Sequence, residues 1–272
     1  MILAGKDTAT HVVVAGRTPL VISVPHAGTA IPAELSSRLT PVAHRLPDTD
    51  WNVGELYDFA PALGATMLVA QYSRYLIDLN RPPDDAALYS SAPKTGLCPT
   101  ASFAGEPLYL SAGDTLPAAE IAERRRRYWQ PYHDALRSLL EQTRERHGYA
   151  LLLDAHSIRS VVPRLFDGRL PDINIGTNRG SACAPALTQT LRARLAAEAR
   201  WSHVVDGRFT GGYITRHYGR PADGIHAVQI ELAQCAYMDE SASDYVPARA
   251  APLRELLGAL VTTLLALPLK AA

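Results

Sequence analysis

Short aliphatic runs that stop abruptly at polar residues set the rhythm of this chain. Residues 12–14, 20–24, 66–70, 151–153, 173–177, 203–205 and 227–230 are each rich in Val, Ile or Leu. They have strand length and are bounded by turn residues. Residues 75–79 share that composition and are read as a further strand. Apolar runs without alternation predict strands buried on both faces, as in a parallel sheet.

Between the runs the period changes. Ile121, Tyr128, Trp129, Tyr132, Leu136, Leu139 and Leu140 recur at roughly helical spacing, which predicts one long helix over residues 118–147, kinked at Pro131. Shorter helices are predicted at 32–39, beyond Trp51, at 184–199, near Gly211–Gly219 and at 248–265. Residues 84–116 are rich in Pro, Gly, Ser and Ala and lack a period, so a long irregular loop is expected there. Strands alternating with helices predict one α/β domain over residues 1–272, with a mostly parallel sheet and helices on both faces.

Composition narrows the function classes. Lys plus Arg equals Asp plus Glu at 27 each, so no global field recommends nucleic acid or an anionic membrane as a partner. No apolar run approaches the roughly 20 residues that span a bilayer. Cys98, Cys183 and Cys235 are far apart, which indicates neither a disulfide framework nor a thiolate zinc site. Residues 1–16 lack the basic-then-apolar order of a secretory signal, and a cytoplasmic protein is expected.

The chemistry gathers where strands stop. His26, Arg81, His156 and Glu231 each close a predicted strand, the edge at which open α/β sheets place ligands. Each has a plain structural explanation: a hydrogen-bonded histidine, a surface arginine. Asp48 or Asp50 can cap the helix that follows. The basic run Arg124–Arg127 follows Glu120 and Glu123 and reads as a solvated face. Ser157 adjoins His156, but neighbours on a strand face opposite ways and no G-x-S-x-G elbow is present, which disfavours a serine nucleophile. Two imidazoles and a carboxylate at one sheet edge, with Asp48 or Asp50 to spare, suggest instead a mononuclear metal hydrolase.

Six segments in order carry a resemblance. They are Val24-Pro25-His26-Ala27-Gly28, Leu46-Pro47-Asp48-Thr49-Asp50-Trp51, residues 75–83, Asp154-Ala155-His156-Ser157-Ile158-Arg159, residues 212–219 and residues 228–234. Over roughly residues 10–265 the chain resembles the N-formylglutamate amidohydrolase family, and more distantly the zinc carboxypeptidase and succinylglutamate desuccinylase superfamily. The resemblance implies a three-layer α/β/α, phosphorylase/hydrolase-like fold. It also implies hydrolysis of N-formyl-L-glutamate to L-glutamate and formate, closing one route of histidine degradation. One departure stands out: the carboxypeptidases follow their first histidine with His-x-x-Glu, whereas Thr29 stands three residues after His26. The carboxylate ligand is then Asp50 or Asp48; Asp50 is preferred because Trp51 can bury its neighbour.

On these grounds His26, Asp50 and His156 are expected to hold one divalent ion, Zn²⁺ first and Co²⁺ second. Asp154 is expected either behind His156 or in a purely structural role. Glu231 is expected as general base, with Arg159 assisting the oxyanion. Arg81 and Arg216, with Asn80 and His217, are expected to meet a small dianionic N-acyl amino acid. The rivals are an amidohydrolase for another acyl group and a non-catalytic binder of acidic metabolites.

Overall fold

The structure, a computed structural model, describes residues 9–87, 95–111 and 116–269. Seven strands form the central sheet: β1 (His11–Val14), β2 (Leu20–Val24), β3 (Thr66–Ala70), β4 (Ala150–Ile158), β5 (Ile173–Gly176), β6 (His203–Val205) and β7 (Ile225–Ala233). Their order is β1-β3-β2-β4-β7-β5-β6. The inner pairs β3–β2, β2–β4 and β4–β7 are parallel, while β1 on β3 and β5 on β7 run antiparallel. The expected mostly parallel sheet is present. A small hairpin, β8 (Met238–Asp239) with β9 (Asp244–Tyr245), was not foreseen.

Short helices α1 (Ala33–Ser36), α2 (Pro41–His44) and α3 (Val53–Leu56) fill the connection from β2 to β3. The longer ones are α4 (Ala118–Arg124), α5 (Gln130–His147), α6 (Pro185–Ala196), α7 (Tyr213–Tyr218) and α8 (Pro247–Leu265). Alternate residues of the central strands face opposite layers. Leu20, Ile22 and Val24 of β2 and Leu151 and Leu153 of β4 pack in one core with leucines of α6 and α8. Val21 and Leu152 enter a second core with Tyr132, Leu136 and Leu140 of α5. Each such leucine contributes about 2 kcal/mol on burial, which explains why these strands are apolar on both faces.

Two expectations are corrected. Residues 75–79 form a turn-rich connection rather than a strand. Tyr75 N donates to Ser73 Oγ at 3.2 Å, Leu76 N to Ser73 O at 2.9 Å and Asn80 N to Asp78 Oδ1 at 2.8 Å, so local side chains and turns satisfy the backbone. Tyr75, Leu76 and Ile77 are apolar because they sit beneath the sheet in the second core. The predicted long helix is divided by a π-helical turn over Arg125–Trp129, where Gln130 N reaches Arg125 O, one residue ahead of Pro131. Proline has no N–H for the regular ladder, and the π turn absorbs the mismatch there. Among the described residues of 84–116, no regular helix or strand forms, as expected.

Candidate metal centre and cleft

β4 and β7 bring the functional groups together by register alone. His156 pairs with Glu231, and Asp154 with Gln229, so all four side chains leave the same face of two adjacent strands. Both strands run two residues past the functional group, to Ile158 and Ala233, rather than ending at it. His26 follows two residues beyond β2, the strand on the other side of β4. Asp50 is stitched between them: its N–H donates to His26 O and its Oδ2 accepts from Ser157 N, each at 3.1 Å. The structure therefore brings Asp50, not Asp48, to the histidines. Asp48 turns aside, and its Oδ2 accepts from Phe103 N at 2.8 Å.

The two imidazoles are held in the same way. His26 Nε2 donates to Asp78 Oδ1 at 2.7 Å, and His156 Nε2 to Asp154 Oδ1 at 3.0 Å. A carboxylate on Nε2 holds a proton there and turns each Nδ1 toward Asp50, where it can carry a second proton or meet a metal ion. Both Nδ1 atoms face the same oxygen: Asp50 Oδ2 lies 3.1 Å from His156 Nδ1 and 3.7 Å from His26 Nδ1. His26 Nδ1 is buried and has no hydrogen-bond partner. Three acceptors converging in a dry pocket repel one another unless a cation or added protons sit among them. One ligand atom from each of His26, Asp50 and His156 can be chosen so that all lie within 4.8 Å of one another, and this donor set fits a divalent ion.

Charge in this corner points the same way. Asp50 and Asp78 are buried beside a buried guanidinium, Arg74, which meets Asp78 Oδ2 at 2.7 Å and Asp50 Oδ1 at 3.5 Å, and Asp154 is buried against His156. Burial favours the neutral form of Asp78, but Arg74 and His26 outweigh it and hold the carboxyl well below its usual range. Burial likewise opposes ionisation of Asp50, and His26 and His156 overcome it. For His156 burial disfavours the cation, yet Asp154 and Asp50 hold its value well above the usual 6.5. Glu231 differs: burial pushes it up to about 8, with Asp50 adding to the shift and His156 opposing it.

Beside this corner opens a cleft whose lining includes Asn80, Arg81, Arg208, Phe209 and Gln229. Asn80 Oδ1 accepts from Ile214 N at 2.8 Å, and its Nδ2 lies 3.0 Å from His156 Nε2. Gly212 permits that approach, since a Cβ there would stand 2.3 Å from Asn80 Nδ2. Arg81 Nε donates to Thr95 O at 3.0 Å. The structure thus gathers His26, Asp50, His156, Glu231, Asn80 and Arg81 as expected. It does not bring Arg159, Arg216 or His217 to this cleft. Arg159 is exposed, donates to Glu240 O at 2.8 Å and lines a neighbouring hollow. Arg216 Nε donates to Gly211 O at 2.7 Å and braces the turn before α7. His217 lies on the exposed side of α7, stacked on Tyr213 at 4.8 Å. Sequence reading missed Arg74, Asp78, Gln229 and Arg208. Gln229 shares the face of Glu231, a signal that period two along β7 contained; Arg208 had none.

A mostly parallel α/β sheet with two carboxylate-braced histidines, an aspartate and a raised glutamate at one edge defines a protein of the amidohydrolase class. The chain belongs to the N-formylglutamate amidohydrolase family, which it matches over residues 18–238. It is 52% identical to an N-formylglutamate deformylase of Pseudomonas aeruginosa over 255 residues, covering 90% of this chain and 94% of that protein. A Pseudomonas putida protein of the same description is 50% identical, covering 92% of this chain and 94% of its own. A crystal structure of N-formylglutamate amidohydrolase from Ralstonia eutropha JMP134 superposes with a TM-score of 0.81 at 28% identity, covering 95% of this chain and 97% of that one. A gene product of Agrobacterium tumefaciens, with a TM-score of 0.69 at 22% identity, shares the fold. No helix among the described residues is long and apolar enough to cross a membrane.

Proposed function

We propose that this chain cleaves the formyl amide of N-formyl-L-glutamate, releasing formate and L-glutamate, as the last step of a histidine-degradation route. The observation that carries the reading is the buried, partnerless Nδ1 of His26, turned with His156 Nδ1 toward Asp50 beside Glu231. Relatives that match nearly the whole chain and are described as N-formylglutamate deformylases support the substrate.

His26, Asp50 and His156 would hold one divalent ion, Zn²⁺ in the first place and Co²⁺ as the alternative. Bound there, it would supply a Lewis acid that lowers the pKa of water and polarises a carbonyl. Glu231 takes the proton of the attacking water and passes it to the leaving amine nitrogen. Its value of about 8 keeps the proton transferable, and a cation in the corner favours the ionised, basic form. Gln229 Nε2, 3.2 Å from Glu231 Oε2, holds the carboxyl in place. Arg74, which lines the cleft where Arg159 does not, pairs with Asp78 and Asp50 and balances their charge beside the reacting centre. Asn80 and Arg81 meet one carboxylate of the substrate.

The test pairs elemental analysis of purified protein with L-glutamate release from N-formyl-L-glutamate, N-acetyl-L-glutamate and N-succinyl-L-glutamate. About one equivalent of divalent metal and a strong preference for the formyl compound are expected. Absence of metal, with no activity restored by Zn²⁺ or Co²⁺, would favour a binding protein. Preference for a longer acyl group would place the chain's activity on another substrate.

A further inference from the structure

The substrate proposed above carries two carboxylates, and a cleft in a protein of zero net charge must supply two local cations to meet them. Three arginines line the cleft: Arg74, Arg81 and Arg208. Arg74 is committed to Asp78 and Asp50, and its charge balances theirs. Arg81 is carried by the same connection as Asn80, next to the histidines, and suits the carboxylate on the carbon bearing the formamide. The second carboxylate lies two methylenes further away. Arg216 and Arg159 do not reach the cleft, so the position falls to Arg208.

We infer that Arg208 is the specificity-determining residue that recognises the side-chain carboxylate of the substrate, an inference that rests on the deformylase reading. Arg208 stands in the connection from β6 to α7, at the far edge of the sheet from the strand that precedes Asn80 and Arg81. Its Nε donates to Leu165 O at 2.7 Å, which fixes the plane of the guanidinium against the chain. Its charge lies 5.3 Å from the centre of the Phe209 ring. Leu165, Phe209 and Ile158 line the same part of the cleft and belong to or pack on one small apolar cluster. That wall offers what a glutamate side chain needs: an apolar surface for its methylenes and a fixed fork for its acid. Beside apolar groups the ion pair is screened less than in water, so the arginine discriminates strongly between a carboxylate and a neutral amide.

The experiment measures kcat and KM for N-formyl-L-glutamate and N-formyl-L-glutamine, the neutral isostere, in the metal-loaded enzyme and in Arg208→Met and Arg208→Gln. The wild type is expected to prefer the glutamate by roughly 30- to 300-fold in kcat/KM. Both variants are expected to lose most of that preference, through KM for the glutamate, with kcat/KM for the glutamine within about threefold of wild type. Arg208→Gln keeps an amide donor for Leu165 O, so it separates loss of charge from loss of packing. A parallel fall for both substrates, or an unchanged preference in variants with wild-type melting temperature, would overturn the inference. A wild type that cleaves neither formyl compound would sink the deformylase reading instead, which keeps the two failures apart.

Discussion

The two sides of the site are built differently. Part of the metal corner is written into paired strands: His156 and Asp154 on β4 stand in register with Glu231 and Gln229 on β7, while His26 and Asp50 follow on the connections beside them. The recognition side is built from connections. Asn80 and Arg81 ride the turn-rich segment after β3, and Arg208 the segment after β6. What holds the first of these loops is borrowed from elsewhere: Trp129 Nε1 donates to Arg81 O at 3.0 Å, and His133 Nε2 donates to Leu79 O at 2.9 Å. Trp129 and His133 stack at 3.7 Å across the junction between the π turn and α5. His156 and Glu231, whose spacing the strand register fixes, sit on the sheet, and Asn80 and Arg81 sit on a loop clamped from behind.

The sharpest break of that contrast is Glu231→Gln. The amide keeps the shape and the bond to Gln229 but cannot take a proton. We expect kcat to fall by about 10²- to 10⁴-fold with metal content unchanged and KM within a few-fold. Near-normal turnover would remove Glu231 from the reaction. Asp154→Asn acts one step back from the ligands. It weakens the hold on His156 Nε2, so metal affinity should fall roughly 10- to 100-fold. Competition with a chelator reads this directly, and an unchanged affinity would mean that Asp154 serves the fold alone.

The sheet half of the site was the legible half in the sequence, and the reason is physical. An uninterrupted aliphatic run that stops near a histidine or glutamate is a local and strong signal, so His26, His156 and Glu231 were all found. Asp50 needed the departure at Thr29 to be noticed. The loop half was read poorly because loops are satisfied by contacts distant in sequence. Residues 75–79 looked like a strand since Tyr75, Leu76 and Ile77 are buried, and burial alone does not distinguish a strand from a packed turn. Arg159 and Arg216 lie in family-like segments and still point elsewhere, while Arg208 and Arg74 lie outside the quoted segments and line the cleft. A guanidinium at the end of four rotatable bonds is not placed by its position in the chain.

The smallest expected effect tests the clamp behind the loop of Asn80 and Arg81. His133 is almost fully buried, and burial lowers its value from 6.5 to about 3, with the bond to Leu79 O opposing in part. Its Nε2–H donates to Leu79 O, and its Nδ1 lies 3.0 Å from the oxygen of Tyr218, whose hydroxyl donates to His133 O at 3.1 Å. The unfolded chain binds a proton at this residue below pH 6.5, and the native one not until about pH 3. Across that window the unfolded state holds more protons, so stability falls as pH falls, by up to about 1.4 kcal/mol per pH unit. Between pH 7 and pH 5.5 this residue alone should remove on the order of 1 kcal/mol. His133→Gln retains an amide donor for Leu79 O without the titration, and its melting temperature should vary less over that range than the wild type's. An identical pH dependence in the two proteins would show that the clamp holds the loop without remaining neutral, and that the recognition side is no more acid-sensitive than the sheet beside it.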